Sequence, residues 1–175
     1  MKYSKSFRFM HWLSASVVVI LLALGLYMTP WDETRPEFAD NLYYWHKSFG
    51  VLFYILIMVR LFMRRKDKLQ PLPEGISPIE KFVARLAHRM LYILMVALPL
   101  LGYVQSSSYE YSTGVHFFFV DLPELIPKND RVFEISNALH KWASYLLMAV
   151  ISLHILGALR HRFFDKKNDV LHRIL

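Results

Sequence analysis

Eight histidines and no cysteine set the chemistry open to this chain: any metal must be held by imidazole, carboxylate or thioether, because thiolate is absent. Four of the eight, His11, His46, His140 and His154, stand inside long apolar runs. An ionisable side chain there costs a few kcal/mol and marks a functional site by default. His140 and His154 are 14 residues apart, which on a helix returns to within about 40° of the same face and separates them by roughly 21 Å. One helix thus offers two inward ligands at two depths. Haem b with two axial histidines needs one neutral imidazole from each of two facing helices, with the macrocycle edge-on in the apolar interior. Two rivals stand beside that reading. Intramembrane histidines also serve as interhelical hydrogen-bonders or snorkelling interfacial groups, and zinc would require three or four ligands converging at one depth.

The elements that must position these residues are membrane helices. Hydrophobic residues make up 55% of 175 residues and mean hydropathy is +0.27, with the charges collected in blocks between apolar runs too long for a soluble core of this size. The runs predict four spanning helices at about 9–29, 43–63, 82–104 and 135–160, an all-α bundle forming a single domain over 1–175. The first run ends Leu26-Tyr27-Met28-Thr29-Pro30, without the small residues of a signal-peptidase site, and is read as a retained helix that Pro30 terminates. Sixteen of the 21 Lys and Arg fall in the N-terminus, the segment 60–89 and the tail from Arg160. The positive-inside rule therefore puts both termini and the loop 64–80 in the cytoplasm, with 31–42 and 105–134 outside. The longer outer loop, rich in aromatics and proline, is expected to form a partly ordered cap at the interface. The inner loop, with Pro71, Pro73, Gly75 and Pro78, is expected to be a stiff connector. The basic residues sit at helix ends rather than along one amphipathic face, which excludes nucleic acid as the partner and leaves membrane lipid.

That topology sets His11 and His154 at one depth near the inner side, and His46 and His140 at another near the outer side. Small residues on the ligand faces (Gly25, Gly50, Ala143, Ser144, Ala158) would leave room for a flat macrocycle. Arg60, 14 residues after His46, would meet a propionate of the inner haem. His88, at the inner end of the third helix, is open as an alternate ligand, a quinone-site residue or a headgroup contact. His161, seven residues beyond His154, suits proton exchange at the inner surface. His116 and His172 are expected to be solvated. Lys47 and Lys141 directly follow the two outer histidines and would form a local positive funnel for an anionic donor.

The stretches Phe-Met-His-Trp-Leu-Ser-Ala (9–15), Trp-His-Lys-Ser-Phe-Gly (45–50), Ala-Leu-Pro-Leu-Leu-Gly (97–102) and Leu-His-Lys-Trp (139–142), with His154, His161, Phe164-Asp165-Lys166 and the tail 169–173, resemble the bacterial cytochrome b561 family over essentially the whole chain. The resemblance implies a four-helix inner-membrane cytochrome with two b haems, ligated by His11 with His154 and by His46 with His140, exchanging single electrons with ubiquinone. One member is similar to a superoxide:ubiquinone oxidoreductase, which makes superoxide a candidate donor. The family is also similar to the cytochrome b subunits that anchor hydrogenases and formate dehydrogenases, so a haem-containing anchor for a soluble redox protein is the alternative. His88, Arg89, His161 and Lys166 are then the candidates for a quinone and proton site.

Two histidine pairs and no cysteine predict two b haems per chain, bound without thioether bonds. A pyridine haemochrome assay on purified protein should return two acid-extractable haems per polypeptide; one or none would refute the two-site reading.

Overall fold

The computed structural model describes residues 2–29, 36–66 and 71–175. It is an all-α bundle of four long helices, α1 (Lys5–Met28), α2 (Pro36–Lys66), α3 (Pro78–Ser108) and α4 (Asp130–Phe163), with one small hairpin, β1 (Val115–Phe117) and β2 (Val120–Leu122). All four helices are long and apolar enough to cross a membrane, and many of their large apolar side chains face outward, as a lipid solvent allows. Pro30 and residues 31–35 of the first outer loop lie outside the described residues, as do residues 67–70 of the inner loop.

Helices α1, α3 and α4 start before their apolar stretches because polar residues cap their first turns. Ser4 caps α1 by accepting from the Phe7 amide. Ser77 and Glu80 form a reciprocal capping box at the start of α3, with Pro78 in the first turn. Asn129 Oδ1 accepts from the Val132 amide to open α4. Glu80 serves twice, because its other carboxylate oxygen takes a hydrogen bond from Arg160 near the end of α4. As a consequence the second outer loop shrinks from 105–134 to the residues between Ser108 and Asp130.

Within the bundle α1 packs chiefly on α2 and α3 chiefly on α4, leaving a looser seam between α2 and α3. The core is a band at mid-height, with Val17, Leu21, Phe53, Ile57, Leu94, Met95, Leu147 and Val150 at its centre. The two ends, termed outer and inner after the topology expected from the sequence, are closed differently. At the outer end the hairpin lies on α2: Lys47 Nζ donates to the Gly114 carbonyl at 2.8 Å, Ser48 Oγ accepts from the Phe118 amide at 3.0 Å, and the Tyr44 hydroxyl donates to the Phe118 carbonyl. Its turn holds Phe118 at φ 53°, a left-handed conformation that an aromatic residue seldom adopts. At the inner end the C-terminal tail folds back across α1, with the Tyr3 amide donating to the Arg173 carbonyl, Trp12 Nε1 to the Ile174 carbonyl and Arg173 Nη1 to the Pro71 carbonyl. Both termini therefore lie at the same end of the bundle.

Ser77→Ala removes the acceptor of the α3 capping box and should lower stability by about 1 kcal/mol. The check is the shift in the unfolding midpoint in mixed micelles, with Ser77→Asp restoring most of it.

Candidate functional site

The four intramembrane histidines meet in two pairs, one above and one below the core band. At the outer end His46 of α2 faces His140 of α4, with ring centres 6.3 Å apart. At the inner end His11 of α1 faces His154 of α4 at 6.4 Å. A metal ion about 2 Å from one nitrogen of each of two imidazoles sets the ring centres about 6 Å apart, so both separations suit a single shared iron rather than a direct ring contact. Along α4 the two sites are separated by about 21 Å.

The donor set suits haem. His140 Nδ1–H donates to the Leu98 carbonyl at 3.1 Å, which fixes the ring and leaves the Nε2 lone pair for iron. His46 Nδ1 is buried without a hydrogen bond of ordinary geometry. Gly25 and Gly102 abut these rings: a Cβ on Gly25 would stand 3.5 Å from His46 Cε1, and one on Gly102 only 3.2 Å from His140 Cε1. Gly50 has open space where a Cβ would point. Arg60 reaches from α2 to the inner pair, its Nη1 donating to Ser14 Oγ at 3.0 Å and its Nη2 to His11 Nδ1 at 2.6 Å. Its Nε, buried and without a partner, is a ready donor for a carboxylate such as a propionate. Arginine only donates, so a neutral His11 in this arrangement carries its proton on Nε2; ligation through Nε2 requires that contact to exchange.

His88 packs its ring edge-on against His154, with centres 5.1 Å apart, too close for the two to stand on opposite sides of one iron, and its Nδ1–H donates to the Ala84 carbonyl at 2.7 Å. Arg89, one residue on, instead lines the seam between α2 and α3. His161 is buried, 8% exposed, with Nδ1 3.2 Å from Asp165 Oδ2, and Lys166 is exposed beyond it. The inner candidates thus divide between two faces of α3 and the end of α4.

Of the two histidines expected in solvent, His116 is largely withdrawn from it and His172 is only partly exposed. His116 pairs with Asp121 across the hairpin at 2.5 Å and stacks near Tyr44, ring centres 5.1 Å apart; a cross-strand partner and an aromatic neighbour hold it. His172 Nδ1 bonds the Asp169 carbonyl at 2.6 Å within the folded tail, half-exposed. Lys47 is likewise tied to the cap, which leaves Lys141 as the exposed lysine of the two. Nearby in the same loop Lys128 hydrogen-bonds Glu124 at 2.8 Å and holds that carboxyl below its ordinary pKa. Sequence reasoning gave no role to Gly102, although it closes the stretch 97–102, nor to Ser14, Tyr44 and Ser48, each of which neighbours a ligand candidate within a few residues.

The chain is similar to known proteins over nearly its whole length. Residues 2–175 match the family described as prokaryotic cytochrome b561. The chain is 32% identical to cytochrome b561 homolog 2 of Escherichia coli (strain K12) over 172 residues, covering 94% of this chain and 86% of that protein. It is 27% identical to the probable superoxide oxidase CybB of Yersinia pestis over 171 residues, 92% and 89% of the two chains. Against cytochrome b561 homolog 1 of Escherichia coli (strain K12) the identity is 26% over 172 residues, 97% and 95%.

The glycine distances order two variants. Gly102→Ala should perturb the low-spin haem spectrum at the outer site, because the new methyl presses on the His140 ring, whereas Gly25→Ala, an ordinary contact, should perturb it less. Electron paramagnetic resonance of the oxidised protein reads both; the reverse order would show that the glycines do not set ring position.

Proposed function

The chain belongs to the prokaryotic cytochrome b561 family, a haem-binding electron-transfer family of multi-pass membrane proteins. From that premise we propose that it binds two b haems, the outer one ligated by His46 and His140 and the inner one by His11 and His154. It conducts single electrons between a donor at the outer side, with superoxide the candidate, and ubiquinone at the inner end. In this reading it is a bacterial inner-membrane protein with both termini in the cytoplasm, the side to which its basic residues point. The observation that carries the proposal is the pair of ring separations, 6.3 and 6.4 Å, at two depths of one bundle.

Haem b, when bound, supplies reversible one-electron exchange at iron. The residues of this chain supply orientation, insulation and protons. The Leu98 carbonyl holds His140 in the tautomer that presents Nε2. The band of Val17, Leu21, Phe53, Ile57, Leu147 and Val150 keeps water out of the space between the sites, which favours passage of the electron alone. Arg60 Nε offers its buried hydrogen to a haem carboxylate. At the inner end His161, with Asp165 beside Nδ1, is the group placed to hold a proton for quinone reduction, with Lys166 at the surface beyond and His88 on the side of His154. Support for superoxide comes from the name of the Yersinia pestis relative, at 27% identity.

Ligand variants with stopped-flow reduction test this. His46→Ala should lose one haem and slow reduction by superoxide. His11→Ala and His154→Ala should resemble each other, each losing the other haem and slowing reoxidation by a short-chain ubiquinone, while His88→Ala keeps two. Retention of two low-spin haems in His11→Ala together with loss of one in His88→Ala would make helix α3 a ligand helix and overturn the assignment.

A further inference from the structure

The looser seam between α2 and α3 opens, at the end of the bundle that carries the termini, into a groove of about 430 Å³ lined by Leu61, Arg64, Arg65, Arg89, Tyr92 and Ile93. Through Tyr92 and Ile93 it continues into a second, apolar groove of about 470 Å³ that adds Val96, Ala97 and Leu100. From Tyr92 to Leu100 the helix rises roughly 12 Å toward the middle of the membrane. The result is one elongated, amphipathic trough with guanidinium groups at its mouth and hydrocarbon along its length.

The mouth has no counter-charge among the described residues. Among the described residues no carboxylate pairs with Arg64, Arg65 or Arg89, while Arg160 and Arg162, at the same end of the bundle, are paired with Glu80 and Asp169. Arg64 is held at the rim by stacking over the Tyr92 ring, 4.5 Å from its centre, which leaves its N–H fork free to chelate an anion. Along the trough Ile93 is 66% exposed and faces the space where an acyl chain would lie. We propose that this seam is a binding site for an anionic diacyl phospholipid, its phosphate chelated by Arg64, Arg65 and Arg89 and one acyl chain laid along Tyr92, Ile93, Val96 and Leu100. Basic clefts between membrane helices on the cytoplasmic side recognise such headgroups. A neutral quinone ring offers two carbonyl oxygens to three guanidiniums and leaves their charge uncompensated, so the phosphate is the better match.

The test is native mass spectrometry of the purified, haem-loaded protein in mild detergent, titrated with phosphatidylglycerol, phosphatidylcholine of the same chain length, inorganic phosphate and ubiquinone. Phosphatidylglycerol should be retained in preference to phosphatidylcholine, and Arg64→Gln/Arg89→Gln should weaken its retention by about 10- to 30-fold, as two basic contacts predict. Arg64→Lys/Arg89→Lys should keep most of it. Lys2→Gln/Lys5→Gln, which removes the same charge from the same end outside the trough, should leave it unchanged. Ile93→Trp, with every arginine intact, should also reduce lipid retention by filling the trough, which separates the site from general loss of charge. Equal retention of the two lipids, or an equal loss in the Lys2→Gln/Lys5→Gln control, would overturn the site. Displacement of the lipid by ubiquinone would reassign the trough to quinone, and binding of inorganic phosphate as tight as that of phosphatidylglycerol would reduce it to a phosphate site without a lipid.

Discussion

An imidazole in the hydrocarbon core of a membrane must find a partner, and the arrangement of this bundle follows from giving four of them one. A polar ring left unpaired there costs more than any single apolar contact returns. Placing His140 and His154 14 residues apart on α4 makes that helix the shared wall of both sites, and the other ligand candidates must then come from helices that face it at two heights. Antiparallel α1 and α2 do this: His11 stands early in α1, close to the tail, and His46 early in α2, close to the cap. The space between is filled by aliphatic side chains, since no polar group is needed where no imidazole stands.

Closing the ends is a separate problem, because the histidine pairs lie only about two to three turns inside the helix boundaries. The residues flanking His46 solve it outside: Tyr44, Lys47 and Ser48 all bond the backbone of the hairpin region, so the helix that presents the ring also fastens its lid. Inside, Arg8 bonds the Leu175 carbonyl and Trp12 that of Ile174, so the residues flanking His11 fasten the tail. Each end is held by the immediate neighbours of a ligand candidate, which ties the position of the ring to the order of the cap.

Much of this was legible in the residues. Four apolar runs give four helices, and paired depth follows from the spacing of 14 once the helices are antiparallel. The boundaries were less legible, since an apolar run measures the hydrocarbon and not the hydrogen-bonded helix. The sequence Ser77-Pro78-Ile79-Glu80 carries the start of α3, four residues before the apolar run begins at Phe82. The hairpin gave no signal: its turn is built from Phe118 and Phe119, with no Asn-Gly or Asp-Gly to announce a left-handed residue, and the pairing of His116 with Asp121 depends on that register. The seam between α2 and α3 was illegible for another reason. Arg64 reads as a topology signal at a helix end and Arg89 as a candidate for the quinone and proton site, and only packing shows that they share a mouth with Tyr92.

The two pairs are not equivalent, and the difference is chemical. His140 donates Nδ1–H to a main-chain carbonyl, a partner that cannot move without moving α3. His11 accepts at Nδ1 from the guanidinium of Arg60, a long side chain that also holds Ser14 and lies 5.6 Å from the centre of the Tyr92 ring. A backbone partner fixes one tautomer permanently, whereas a side-chain partner fixes it only while that side chain stays. The outer site is therefore rigid at its His140 ring. The inner site has its ring orientation coupled, through Arg60 and Tyr92, to the charge of the seam where Arg64 lies over the same aromatic ring.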